Sequence, residues 1–249
     1  MIGAIIVAAG SSTRMGGIDK LLAPLGGRPV IACSIAVFAT HPRVDALAIV
    51  VSPSNESAIR EISARLAPDA HIVPGGVRRR DSVANGLDAL GDCDYVLVHD
   101  GARPLVTADL IDAALDGAIQ TGAALCAVPI SDTVKRGTAN PLSATPNPLS
   151  ASGRLPSSEA TEGAGGGVVL VAGTINRDRL WLAQTPQAFR TDILRRAHAA
   201  HDIEATDDAA LVELIDEPVR LVMGSTENLK ITTPSDLALA SAILASRSA

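Results

Sequence analysis

Residues 7 to 20 read V-A-A-G-S-S-T-R-M-G-G-I-D-K, directly after the apolar run Ile2 to Val7. The pattern is a buried strand running into a glycine and serine loop that carries two cations, Arg14 and Lys20. Such a loop gathers backbone N–H groups and fixed positive charge in one place, which suits a polyanion, most often a nucleoside triphosphate. Two common phosphate-binding patterns are absent. The spacing G-x-G-x-x-G fails, because Gly10 is followed by Ser11, Ser12, Thr13, Arg14, Met15 and Gly16. The end of the next strand, Val51-Ser52-Pro53-Ser54, has no acid to hold a ribose, so a nicotinamide or flavin site is excluded. The pattern G-x-x-x-x-G-K-[ST] fails because Gly17 is followed by Ile18. No nucleophilic serine, histidine pair or carboxylate dyad stands out.

The elements that must position this loop alternate between strand-like and helix-like segments. Ile2–Ala8 reads as a continuous apolar strand. Ile31, Ile35 and Phe38 mark a helix ending near His41-Pro42, and Ala46–Val51 is a second strand. Ile59, Ile62 and Leu66 fit a helix stopped by Pro68; His71–Val73 is a short strand leading to Pro74-Gly75-Gly76; Ser82–Leu90 is helical. Tyr95–Val98 is a strand running into His99-Asp100-Gly101-Ala102-Arg103-Pro104, followed by a helix on Leu110, Ile111, Ala114 and Ala118 and a strand at Ala123–Val128. Strands this apolar, separated by helices, imply a mainly parallel sheet covered on both faces. Ligands of such sheets sit at the carboxyl ends of the strands, so the loops after the first, third and fourth strands are expected to converge on one cleft.

Beyond residue 137 the pattern breaks. Residues 138–167 are rich in Pro, Gly, Ser, Ala and Thr and carry too little apolar surface to order themselves, so a disordered insertion is expected there. Asp132–Arg136 and Val168–Ile175 flank it as the two sides of a long hairpin. After it come a helix over Asp192–Ala200, a helix capped by Thr206 and opening Asp207-Asp208, and a strand at Val219–Met223. Thr233-Pro234-Ser235-Asp236 then starts a final helix, Leu237–Leu244.

Composition sets outer bounds. The chain has 249 residues, 47% hydrophobic but only 2% aromatic, so its core must be built from Ala, Val, Leu and Ile. No apolar run reaches the ~18–20 residues of a membrane span, and the amino terminus does not read as a signal peptide. Net charge of −6 argues against nucleic-acid binding. Cys33, Cys93 and Cys126 lack metal-ligand spacing and read as free thiols of a reducing cytosol.

Taken in order, a set of motifs carries a resemblance. They are Ala8-Ala9-Gly10-x-x-x-Arg14-Met15-x-x-x-x-Lys20, Gly75-Gly76-x-x-Arg79-x-x-Ser82-Val83, Val98 to Pro104, and Asp132-Thr133-Val134-Lys135. Gln184-Thr185-Pro186-Gln187, Thr206-Asp207-Asp208 and Asn228-x-Lys230-Ile231-Thr232 complete it. Each is weak alone; together they resemble the sugar and polyol-phosphate nucleotidyltransferases, most closely the 2-C-methyl-D-erythritol 4-phosphate cytidylyltransferase family, over the whole chain except 138–167. The resemblance implies an α/β, Rossmann-like three-layer nucleotidyltransferase fold. It implies one domain over 1–249, with a mainly parallel sheet and a projecting β-hairpin arm at 131–177. It implies a cytoplasmic homodimer joined through that arm, with CTP and a polyol phosphate as substrates and magnesium or another divalent cation riding on CTP.

Site residues follow position by position. Arg14 and Lys20 are expected to stabilise charge on the α-phosphate and leaving pyrophosphate, while Arg177 and Lys230 place the second substrate. Ala8, Ala9, Gly10, Gly75, Gly76, Arg79, Ser82, Asp100 and Gly101 are expected around CTP, with Gly75, Gly76 and Ser82 near the base. Arg103, Thr133 and Glu227 are expected at the polyol phosphate. Asp100 suits a magnesium-triphosphate or ribose contact, and Glu227 a metal or a hydroxyl. His99 is expected to be a packed structural histidine, and at least one of Arg78, Arg79 and Arg80 an ordinary solvated cation at a helix start. Asp19 stands where relatives often have Pro and is expected to loosen the loop. Alternative readings are a cytidylyltransferase for ribitol 5-phosphate, a sugar-1-phosphate or cofactor nucleotidyltransferase using another base, and a non-catalytic nucleotide-binding regulator.

Overall fold

The apolar runs form strands β1 (Ile2–Ala8), β4 (Ala46–Val51), β5 (His71–Pro74), β6 (Tyr95–Asp100) and β7 (Ala123–Pro129), joined by β10 (Trp181–Arg190) and β11 (Arg220–Met223). These seven hydrogen-bond into one sheet in the order β11-β7-β10-β6-β1-β4-β5. The computed structural model describes residues 1–10, 19–139, 169–200, 203 and 205–247. Strand β1 runs parallel to both β4 and β6, β4 parallel to β5, and β11 parallel to β7, while β10 lies antiparallel to β6. The sheet is therefore mainly parallel, as the apolar runs require, with one reversed strand that periodicity alone did not mark. Helices α1 (Val30–Ala39), α2 (Glu56–Leu66), α3 (Arg79–Leu90) and α4 (Ala108–Thr121) connect the strands, and α5 (Thr191–Ala200), α6 (Asp208–Glu213) and α7 (Pro234–Arg247) follow. Two-residue strands β2 (Pro24–Leu25) and β3 (Arg28–Pro29) form a small antiparallel ribbon.

The core is aliphatic, as composition demands. Phe38, Ile49, Leu97, Ile111 and Leu115 are wholly buried in one cluster between the sheet and its helices. Helix α4 shows why these segments are helical: Leu110, Ile111, Ala114, Leu115 and Ala118 all face inward. Its start is capped by the Thr107 hydroxyl, which accepts from Leu110 N at 3.4 Å, and it stops at Gly122 in a left-handed conformation. Helix α7 opens on a reciprocal cap, with Asp236 accepting from Thr233 N at 2.8 Å and donating its own N–H to Thr233 Oγ1 at 3.3 Å.

Several expected boundaries move for identifiable reasons. Helix α3 starts three residues earlier than expected, at Arg79, because Asp81 reaches back to accept from Arg78 N at 3.0 Å. Helix α6 is capped by Asp207, not Thr206: Asp207 is the extended residue, and its carboxylate accepts from Ala210 N at 3.0 Å. Thr206 lies one residue too early for that bond. The final helix is longer at both ends than Leu237–Leu244, since the cap places its first residue at Pro234.

Residues divide into two compact units, Met1–Val128 with Leu182–Ala249, and Pro129–Trp181. The second contains an antiparallel hairpin of β8 (Val134–Ala139) and β9 (Val169–Ile175), with Val134 opposite Ile175 and a register shift between Arg136 and Gly137. Thr138 and Ala139, expected in the insertion, continue β8; the rest of the expected insertion, and Val168, lie outside the described residues.

Phe38→Ala should destabilise the first unit by about 3–5 kcal/mol, the cost of deleting a wholly buried aromatic ring. Urea denaturation followed by circular dichroism measures it; a loss under about 1 kcal/mol would show that the helix layer can collapse around the void.

Candidate active site

Strand order reverses between β6 and β1, because the chain builds β1, β4 and β5 outward and then returns to the other side of β1 with β6. Open parallel sheets leave a crevice at such a point, beyond the carboxyl ends of the strands. A cavity of about 390 Å³ lies there, lined by Ala8, Ala9 and Gly10 after β1, Gly76 to Arg79 after β5, Asp100 and Ala102 after β6, and by Lys20, Ser82 and Lys230. The three expected loops do meet.

Backbone geometry holds the first loop. Asn55 is buried; its Nδ2 donates to Ala8 O at 2.9 Å and to Asp19 Oδ2 at 3.0 Å, and its Oδ1 accepts from Ser52 N at 2.9 Å. Asp19 Oδ1 also accepts from Leu21 N at 2.9 Å. Asp19 therefore ties down the chain beside Lys20; the rest of the loop, on which the expected loosening falls, lies outside the described residues. On the opposite wall, Ser82 Oγ accepts from Gly76 N at 3.1 Å and donates to Arg78 O at 3.2 Å. Gly75 lies close under the first loop: a Cβ there would come within 2.2 Å of the Ala9 Cβ, so only glycine fits. Gly101 is bonded to the end of β1, donating to Val7 O at 2.9 Å.

Charge concentrates on Asp100. Lys230 Nζ lies 2.9 Å from its carboxylate, and Arg79 Nη2 and Arg103 Nε each lie 3.7 Å away. Burial by itself pushes this carboxyl up; the charges of Lys230 and Arg79, the Lys230 hydrogen bond and the charge of Arg103 outweigh it and hold the group far below the usual carboxylate range. The Asp100 N–H donates to Thr185 Oγ1 at 3.0 Å. Arg103 Nη1 donates to Asn228 O at 2.8 Å, and Asn228 Nδ2, wholly buried, donates to Thr185 O at 2.8 Å. Arg79, Asp100, Arg103 and Lys230 also line a second, adjoining cavity with Gln184, Thr185 and Asp207.

His99 is the packed histidine expected. Its ring is wholly buried against Phe38, with centroids 5.0 Å apart, and its nitrogens meet Thr185 Oγ1 and Arg103 O at 3.1 Å each. Burial pushes its pKa down from 6.5 to about 4.

The arginine run departs from expectation, since every member is tied. Arg78 pairs with Asp81 at 2.8 Å, and Arg79 Nη1 donates to Asp208 at 2.6 Å. Arg80, nearly buried, donates to the carbonyls of His198 at 2.6 Å and Ile203 at 3.1 Å. Asp208 is wholly buried; burial pushes its carboxyl up, but the His198 hydrogen bond and the Arg79 charge outweigh this and hold it low.

Glu227 lines neither cavity. Its Oε2 takes Arg247 Nε at 3.0 Å and Nη2 at 2.8 Å, while Arg247 Nη1 donates to Leu105 O at 3.1 Å. Glu227 and Arg247 thereby strap the loop before Lys230, and the expected metal or hydroxyl is not among the contacts described for Glu227. In the second unit, Arg177 donates to Ser131 O, and Thr133 is exposed just before β8. Arg14 lies outside the described residues. Asn55 and Arg247 were not singled out from sequence, and Asn228 entered only as part of a motif with no role, because their partners are distant in the chain. Cys33 and Cys126 are buried free thiols, Cys93 is a half-buried one, and burial pushes Cys126 up to about 12.

Comparison with known proteins gives concordant results. The family model described as IspD, 2-C-methyl-D-erythritol 4-phosphate cytidylyltransferase, matches residues 2–148 and 159–246. Only 149–158 separates the two matched stretches, a shorter departure than the expected 138–167. A 2-C-methyl-D-erythritol 4-phosphate cytidylyltransferase from Dehalococcoides mccartyi (strain CBDB1) is 41% identical over 98% of this chain and 96% of its own. The crystal structure of 4-diphosphocytidyl-2C-methyl-D-erythritol synthase from Anaerococcus prevotii DSM 20548 is 28% identical with a TM-score of 0.77, covering 98% of each chain. That of the cytidylyltransferase from Thermus thermophilus is 30% identical with a TM-score of 0.71, covering 98% of this chain and all of the other.

Unfolded histidine binds a proton near pH 6.5, whereas folded His99 does so only near 4. Stability contributed by the neutral ring is therefore complete above pH 6.5 and falls by about 3 kcal/mol as pH drops through the window to 4. Urea titrations at pH 7.5 and 4.5 should show a smaller drop in His99→Gln than in the wild type; equal drops would contradict the assignment.

Proposed function

The chain belongs to the 2-C-methyl-D-erythritol 4-phosphate cytidylyltransferase family, and from that premise we propose that it transfers a cytidylyl group from CTP to 2-C-methyl-D-erythritol 4-phosphate. The products are the CDP-polyol and pyrophosphate, and the step belongs to the non-mevalonate synthesis of isoprenoid precursors. The single observation that carries this reading in the molecule is the cavity at the switch point, with Lys20, Arg79 and Lys230 on its walls.

The reaction is attack of the substrate's phosphate oxygen on the α-phosphorus of CTP, with pyrophosphate leaving. A phosphate monoester has a second pKa of about 6, so at neutral pH it is already a nucleophile and no general base is needed. Bringing two polyanions together is the main barrier, and positioned cations lower it. Lys20 and the family-matched Arg14 stabilise the α-phosphate and the leaving group. Lys230 places the incoming phosphate, assisted by Arg103, and Arg177 and Thr133 are assigned to the same substrate by their motif. Ala8, Ala9, Gly10, Gly75, Gly76, Ser82 and Gly101 offer backbone and small-residue surface to the nucleotide.

Among the described residues no group of three or more His, Cys, Asp or Glu side chains is placed to hold a metal ion, and Asp100 is the one described carboxylate lining the cavity. That donor set fits magnesium carried on the triphosphate, since magnesium typically takes one or two carboxylates plus substrate phosphates. When bound, the ion neutralises phosphate charge. A homodimer joined through the hairpin is supported by the apolar side chains of Val169, Leu170 and Val171, which are exposed on β9. No described helix is long and apolar enough to cross a membrane, and the free thiols suit a reducing cytoplasm.

Pyrophosphate release measured with CTP, UTP, ATP and GTP, each with several polyol phosphates, tests the assignment. Turnover should require CTP and prefer methylerythritol phosphate; a preference for ribitol phosphate, or CTP binding without turnover, would replace it. Lys20→Ala should lose about 10²–10³ in rate with its fold intact.

A further inference from the structure

Asp208 is a charged side chain with no exposed surface, and a carboxylate is rarely buried without a task. It opens α6, far in sequence from α3, yet one oxygen accepts from Arg79 Nη1 at 2.6 Å and the other faces His198 Nε2 at 3.2 Å. The start of α6 is itself fixed from the sheet. Gln187, buried on β10, donates to Asp207 at 2.8 Å and accepts from Ala209 N at 3.2 Å. The carboxylate therefore sits on a rigid base.

Arg79 is the side chain this base holds. It lines both cavities beside Asp100, and among the described residues its hydrogen-bond acceptor is Asp208. A guanidinium is a planar fork of five N–H donors, so gripping one edge fixes the direction of the rest. We propose that Asp208 is a positioning residue for the nucleotide: it grips Arg79 from behind and aims the guanidinium's remaining donors at the triphosphate. Arg79 touches the nucleotide, and Asp208 acts only through it. The inference rests on reading the cavity as the CTP site.

Three variants test it by steady-state kinetics on the full chain: D208N, R79Q and the double variant. D208N should raise the KM for CTP about tenfold or more while the KM for the polyol phosphate stays within about twofold, and R79Q should do the same. The double variant should be no worse than R79Q alone, because the two residues act as one unit. D208E, which keeps the charge but moves it by one methylene, should recover part of the CTP affinity. Losses that add in the double variant, or a KM for CTP within about twofold of wild type in D208N, overturn the proposal. So does failure of both Asp208 variants to fold while R79Q folds, since Asp208 would then serve stability independently of Arg79. Wild-type protein that does not turn over CTP would instead overturn the reading of the cavity, a separate outcome.

Discussion

One carboxylate, Asp100 at the end of β6, keeps three cations in a space of a few ångströms. Without it, Lys230, Arg79 and Arg103 would repel one another around an electropositive cavity. With it, each can approach within 4 Å of the same group before any ligand arrives. The carboxylate could not be buried alone, and the cations could not be crowded alone; each supplies the condition for the other. Every cation also has a second tether, Arg79 to Asp208, Arg103 to Asn228 O, and Lys230 through the loop that Glu227 and Arg247 clamp. A site for a polyanion built this way does not have to reorganise its charges when occupied, which is where electrostatic catalysis draws its strength.

The scaffolding around that centre is made of side chains bonded to backbone. Asn55 holds Ala8, Ser82 holds Gly76, Thr185 holds Asp100, and Asn228 holds Thr185. These bonds tie the ends of neighbouring strands, so loops that could move independently are cross-braced. The strands themselves stay apolar because their polar work has been exported to their carboxyl ends.

Much of this was legible in the sequence, and the limits have a physical pattern. The apolar runs gave β1, β4 and β6 almost to the residue, and the Gly75–Ser82 and Asp100–Arg103 motifs pointed to the loops that line the cavity. What escaped depends on pairing across the fold. Arg79 reads as a nucleotide contact inside a basic run expected to hold at least one solvated cation, but the group that holds it, Asp208, is far away in the chain. The pairing of Glu227 with Arg247 could not be read either, because Arg247 lies at the end of α7. The anchor of Asp19, Asn55, belongs to the connection after β4 and could not be read from the loop's own sequence. Strand β10 was not marked from sequence at all, because Gln184-Thr185-Pro186-Gln187 interrupts the apolar run that signalled the other strands.

Strands β7 and β10 are neighbours in the sheet, and the chain departs after Pro129 and comes back at Trp181. The excursion between them thus begins and ends at two adjacent, firmly bonded positions. Lengthening a tether whose ends are already fixed costs little, about 0.6 kcal/mol for each doubling. Residues such as 149–158, which the family model leaves unmatched, can therefore be carried in this span at little cost to the strands that it joins.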